Sequence, residues 1–85
     1  MLIDLQDVCR TVGLVMGHRD PKPDDRLIED VGAESMELLS IVITLEQKHG
    51  VSIDEAAVST VSTVRDLYDV VRKSPRAAIP PADTA

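Results

Sequence analysis

The stretch "DVGAESMELLS", residues 30–40, sets Ser35 between two acids at the head of a hydrophobic run. A nucleophilic serine needs a base within hydrogen-bond reach and donors aimed at the negative charge that develops on its substrate. This chain offers few partners for either task. Its histidines are His18 and His49, and neither is placed by sequence beside Ser35, so a hydrolase finds no support. Cys9 is the single cysteine. It falls among apolar positions, reads as a buried structural thiol, and shares no metal-ligand spacing with either histidine, which excludes an internal disulfide and a zinc site. Ser35 is then either a helix cap, its oxygen accepting an orphan backbone N–H, or a handle for chemistry that another protein performs.

The elements that must position it follow from composition and periodicity. With 85 residues the chain makes one small domain. One Tyr and no Phe or Trp leave the core to Leu, Ile, Val, Met and Ala, which favours helix-on-helix packing over an aromatic-rich sheet and predicts an all-α fold. The formal charge of −6, without clustered Lys or Arg, argues against nucleic acid and suits basic protein partners; the plainer reading is that it keeps the chain soluble. A lone cysteine fits a reducing compartment, no apolar run reaches the length of a membrane span, and "MLIDLQDVCR" has acids where a signal peptide has bases. A cytoplasmic protein is expected.

Leu5, Val8, Val12 and Val15, with Ile3, Cys9 and Met16 beside them, predict a first helix over about Ile3 to Met16. Gly17, Pro21 and Pro23 end it, and a long connection follows whose Leu27, Ile28 and Val31 are expected to tack onto the core. A second helix is predicted from Ser35, or one residue before it, to His49, with Gly50 as its left-handed stop. Leu38, Ile41, Val42, Leu45 and His49 fall within an arc of about 100°, wide enough to pack on a core. Met36, Leu39 and Ile43 form a second apolar strip beside it, for the long loop to cover or for a visiting protein. A short helical stretch near Asp54 to Val58 precedes a last helix that Thr63 and Asp66 cap, that Val64, Leu67, Tyr68 and Val71 face inward, and that Arg72 and Lys73 close. Residues 1–73 thus form the domain. Residues 74–85, "SPRAAIPPADTA", read as a disordered tail, and no internal repeat is present.

Helix order, long first loop and a serine at the start of helix two together resemble the acyl carrier proteins. "DVGAESMELLSIVITLEQKHGVSI" parallels that family's run of Asp, apolar, Gly, apolar or small, Asp, Ser, Leu and amphipathic helix, and "VSTVRDLYDVV" is similar to its last-helix entry. Glu34 stands where the family has Asp, Met36 where it has Leu, and His49 where it commonly has Phe. Ser40, Gln47 and Lys48 occupy positions that are often acidic in fatty-acid carriers, which suits more specialised partners such as those of a secondary-metabolite pathway.

The resemblance implies a four-helix bundle, three longer helices and one short, that catalyses nothing itself. A phosphopantetheinyl transferase would move 4′-phosphopantetheine from coenzyme A to Ser35, and the arm's thiol would carry an acyl group as a thioester. It further implies that Glu34, Met36, Glu37, Leu39, Ile43 and, more remotely, Glu46 meet basic partner surfaces: the transferase, an acyl-loading enzyme, a ketosynthase or another acyl-processing enzyme of fatty-acid or polyketide synthesis. Ile53, Val58 and Val61 would line a cleft that shelters the acyl chain, in a monomer that binds neither nucleic acid nor membrane. Two alternatives stay open. A stand-alone peptidyl or aminoacyl carrier uses the same arm, although "GAES" departs from its usual approach to the serine; an unmodified acidic adaptor would keep the fold and bind through Met36, Leu39 and Ile43.

Overall fold

The computed structural model describes residues 3–17 and 21–77. Its helices are α1 (Leu5–Met16), α2 (Ser35–His49), α3 (Glu55–Val58) and α4 (Val64–Lys73). No extended strand is present among the described residues. Each helix starts where a side chain supplies what the first turn lacks. Asp4 accepts from the Gln6 N–H at 3.2 Å, so α1 begins two residues later than the apolar pattern suggests. Asp54 does the same for the Ala56 N–H at 3.1 Å. At α4 the reciprocal pair expected of Thr63 and Asp66 is present: Thr63 Oγ1 accepts the Asp66 N–H at 3.1 Å and Asp66 accepts the Thr63 N–H at 3.2 Å. A further N–H, from Ser62, reaches the same carboxylate, and these backbone donors hold Asp66 below the usual carboxylate range.

α1 packs against both α2 and α4, and α3 against α4. Val8, Val12, Ile41, Leu45, Val64, Leu67 and Val71 are sealed from solvent at their common centre. The long connection is built rather than loose. Leu27 N–H donates to Ser62 O at 2.9 Å and Val64 N–H to Asp25 O at 3.1 Å, which fastens the loop to the entry of α4, with Arg65 paired to Asp24 at 3.2 Å above them. Leu27, Val31 and Ala33 are buried by this arrangement, whereas Ile28 is 68% exposed and does not tack onto the core as expected. The turn that brings Leu27 and Val31 inward carries Ile28, Glu29 and Asp30 between them outward.

The body of the domain also extends past Lys73. Ser52 N–H donates to Pro75 O and Ala77 N–H to Gly50 O, both at 2.9 Å, forming an antiparallel bridge between Val51 and Arg76. The start of the predicted tail is therefore ordered through residue 77, because Gly50–Ser52 offers it free backbone groups; residues 78–85 lie outside the described residues. His18 falls outside them as well.

Candidate functional site

Ser35 owes its position to the turn before it. Gly32 has φ +81°, a conformation that suits glycine, and it reverses the chain between buried Val31 and buried Ala33. Ala33 N–H then closes on Leu27 O at 2.7 Å. Glu34 stays extended as the residue before the helix, and its carbonyl accepts the first helical bond from Leu38 N–H at 2.7 Å. Glu37 reaches back to accept the Glu34 N–H at 3.0 Å. Ser35 is thus the first helical residue and not the cap. Its side chain is exposed and takes no hydrogen-bond partner within the protein.

The surroundings of that hydroxyl can be read chemically. The opening N–H groups of α2 point toward its end, where they and the helix dipole favour an anion. Nothing nearby activates the hydroxyl. His49 lies at the far end of α2, about 20 Å away by helix rise. No group of three or more His, Cys, Asp or Glu among the described residues could hold a metal ion.

Beside Ser35 runs the apolar strip that the spacing predicts. Met36 is 75% exposed, Leu39 47% and Ile43 43%, so the long loop does not cover it. Glu34 is exposed next to it and Glu37 is half-buried. The hydroxyls of Ser40 and Thr44 bond back to Met36 O and Ser40 O, at 3.2 and 2.8 Å, and leave the strip unbroken by charge.

Two expected groups of site residues have contacts within the bundle. The Glu46 carboxylate accepts the Ile53 N–H at 2.8 Å and holds the segment after Gly50 against α2. Ile53 and Val58 are buried core members and Val61 packs against that core, so the three fill space instead of lining an open cleft. An open groove of about 610 Å³ lies elsewhere, along Ser52, Asp54, Ala57, Val70, Lys73 and Pro75. Sequence pattern gives no sign of the Glu46 bond, since a contact across a left-handed stop has no fixed spacing. Leu14, 76% exposed on α1, lies outside the apolar face that Leu5, Val8, Val12 and Val15 define.

At the other end of α2, His49 is half-buried with its Nε2 buried and unpartnered. Burial, and secondarily the Lys48 charge, lower its pKa against an opposing pull from Asp7. That agrees with an imidazole standing in a packing position.

This bundle with a bare serine opening its second helix matches the phosphopantetheine attachment site family over residues 6–71, and the chain belongs to that family. Its similar relatives are acyl carrier proteins. That of Thermotoga maritima is 38% identical over 48 residues, 56% of this chain and 59% of the relative. That of Nitratidesulfovibrio vulgaris is 34% identical over 50 residues, 59% of this chain and 66% of the relative. The match thus spans about three fifths of the Thermotoga relative's length. Among solved structures, the acetyl actinorhodin acyl carrier protein from Streptomyces coelicolor superposes with a TM-score of 0.68 at 29% identity, covering 85% of this chain and 90% of that one. A chain from Mycobacterium tuberculosis, TM-score 0.74 at 22% identity over 79% of this chain and 92% of its own, shares the fold. No helix among the described residues is long and apolar enough to cross a membrane.

Proposed function

We propose that the chain is an acyl carrier protein whose attachment point is Ser35. The observation that carries this is an exposed hydroxyl with no protein partner, on the first turn of a helix whose N–H groups face the same solvent. In the loading step Ser35 Oγ forms a bond to the phosphorus that bears the pantetheine of coenzyme A, and the bond from that phosphorus to the departing 3′,5′-ADP breaks. The hydroxyl proton passes to a base of the visiting phosphopantetheinyl transferase, which explains why none is built in here. The bound group supplies a thiol that carries the acyl cargo as a thioester.

Glu34 and Glu37 greet basic partner surfaces, and Met36, Leu39 and Ile43 are the apolar ground those partners cover. The acyl-processing enzymes served belong to synthesis of fatty acids or of polyketides and related secondary metabolites. The modest acidity of α2 and the likeness to the Streptomyces carrier, named in its acetyl form, support the second. An acyl chain long enough to seek shelter would have to part Ile53, Val58 and Val61.

The test is intact mass after incubation with coenzyme A and a promiscuous transferase. Wild type gains one phosphopantetheine and Ser35→Ala none, with helicity unchanged. An unmodified wild type points to the adaptor, and a loaded Ser35→Ala moves the site.

A further inference from the structure

The end of the bundle away from Ser35 holds a second feature. A cleft of about 240 Å³ lies there, with Ile3 and Val51 as apolar walls and His49, Arg72, Ser74 and Arg76 as polar ones. In a chain of net charge −6, two arginines and a histidine meeting in one small cleft are out of proportion to the whole. Part of this has a local reason, because α2 and α4 both end here and cations suit their carbonyl ends. Arg76 lies beyond both helices and that reason does not reach it.

The groups differ in how far they are already engaged. Arg72 pairs with Asp69 at 3.4 Å and sits over the Tyr68 ring at 5.9 Å. Ser74 donates its hydroxyl to Val70 O at 2.6 Å and has no proton left to offer. The Arg76 side chain has neither a hydrogen bond nor an ion pair among the described residues, yet its backbone is fixed by the bridge to Val51. His49 Nε2 is the buried side-chain polar atom that lacks a partner among the described residues. An unengaged guanidinium on a fixed backbone, next to a second guanidinium and an orphaned imidazole nitrogen, is a site short of an acceptor.

We propose that this cleft binds a small phosphate-type oxyanion, gripped by the guanidinium groups of Arg72 and Arg76 with His49 as its inner wall. Guanidinium forks match tetrahedral oxyanions, and the apolar walls leave room for a short organic substituent on the ligand. The site is separate from Ser35 and does not depend on the carrier reading. Reciprocity adds a second readout: the bound anion raises the His49 pKa from its depressed position, against the Lys48 charge and alongside Asp7.

The experiment titrates inorganic phosphate into the full-length unmodified protein at ionic strength held constant with sodium chloride, followed by amide and imidazole NMR shifts. Saturable shifts at His49, Val51 and Arg76 are expected, together with an upward move of the His49 titration. Arg76→Gln, at an exposed position, should keep the native spectrum and bind about tenfold more weakly. Lys22→Gln removes the same charge elsewhere and should leave affinity unchanged. Non-saturating shifts, shifts centred on the first turn of α2, or equal weakening by both variants would each overturn the site. Acetate binding as tightly as phosphate at the same residues would overturn the ligand class.

Discussion

The two ends of α2 are built on opposite plans. At its first turn Ser35 and Met36 stand in solvent and the only long-reaching side chain, Glu37, bonds no farther than Glu34. At its last turn several groups are tied across the chain, Glu46 to Ile53, Gly50 to Ala77, Ser52 to Pro75 and Lys48 to Thr11 at 3.4 Å, and His49 Nε2 is the exception. One helix therefore carries an end with little tertiary bonding and an end whose backbone and Glu46 carboxylate are engaged by tertiary structure. The lesson concerns where stability is kept: the end with the exposed hydroxyl, which we propose as the attachment point, is spared structural duty, and the opposite end does the fastening.

The contrast can be broken most forcefully along the helix sides. Leu45→Ala, at a side chain with no exposure, should cost about 2–5 kcal/mol in denaturant unfolding, whereas Leu39→Ala should stay within about 1 kcal/mol. Similar losses would mean that the outer strip is core after all. Next in size, Glu46→Ala leaves the Ile53 N–H without its acceptor and should cost about 1–3 kcal/mol, against a few tenths to about 1 kcal/mol for Glu37→Ala at the open end. A Glu37 variant as damaging as the Glu46 one would erase the difference between the ends.

The smallest effect is one of pH. His49 has a folded pKa below its unfolded value, so the unfolded chain takes up the proton first as pH falls. Its contribution to stability is whole above the ordinary histidine pKa of about 6.5 and is lost as pH falls from there through the folded value. Unfolding free energy followed across that range should decline for wild type and stay flatter for His49→Gln; identical slopes would assign the decline to other groups. Asp66, also depressed, acts in the same direction but only below the usual carboxylate range, so the two windows separate.

Much of this was legible in the residues because it is local. The bounds of α2 follow from an apolar arc and a glycine in the left-handed region, φ +66° at Gly50, and the strip of Met36, Leu39 and Ile43 follows from their spacing on the same helix, while its exposure is decided by the path of the long loop. The illegible parts are contacts between segments. Ile28 shares its apolar character with Leu27 and Val31, and only the loop's path decides which of the three turns outward. Composition made residues 74–77 look like a tail, since nothing in "SPRA" announces that Gly50–Ser52 has backbone groups to pair with it. That Ile53 and Val58 enter the core and Val61 packs on it depends on how the bundle fits together, which no spacing in the sequence reports.

That Glu34, not Ser35, caps the helix bears on how the molecule ages in a cell. Substituting or esterifying that oxygen removes no bond from the architecture, so bare and charged forms should resist heat and proteases alike. Whatever distinguishes them must recognise the added group, because the scaffold beneath gives no hint of which one it is.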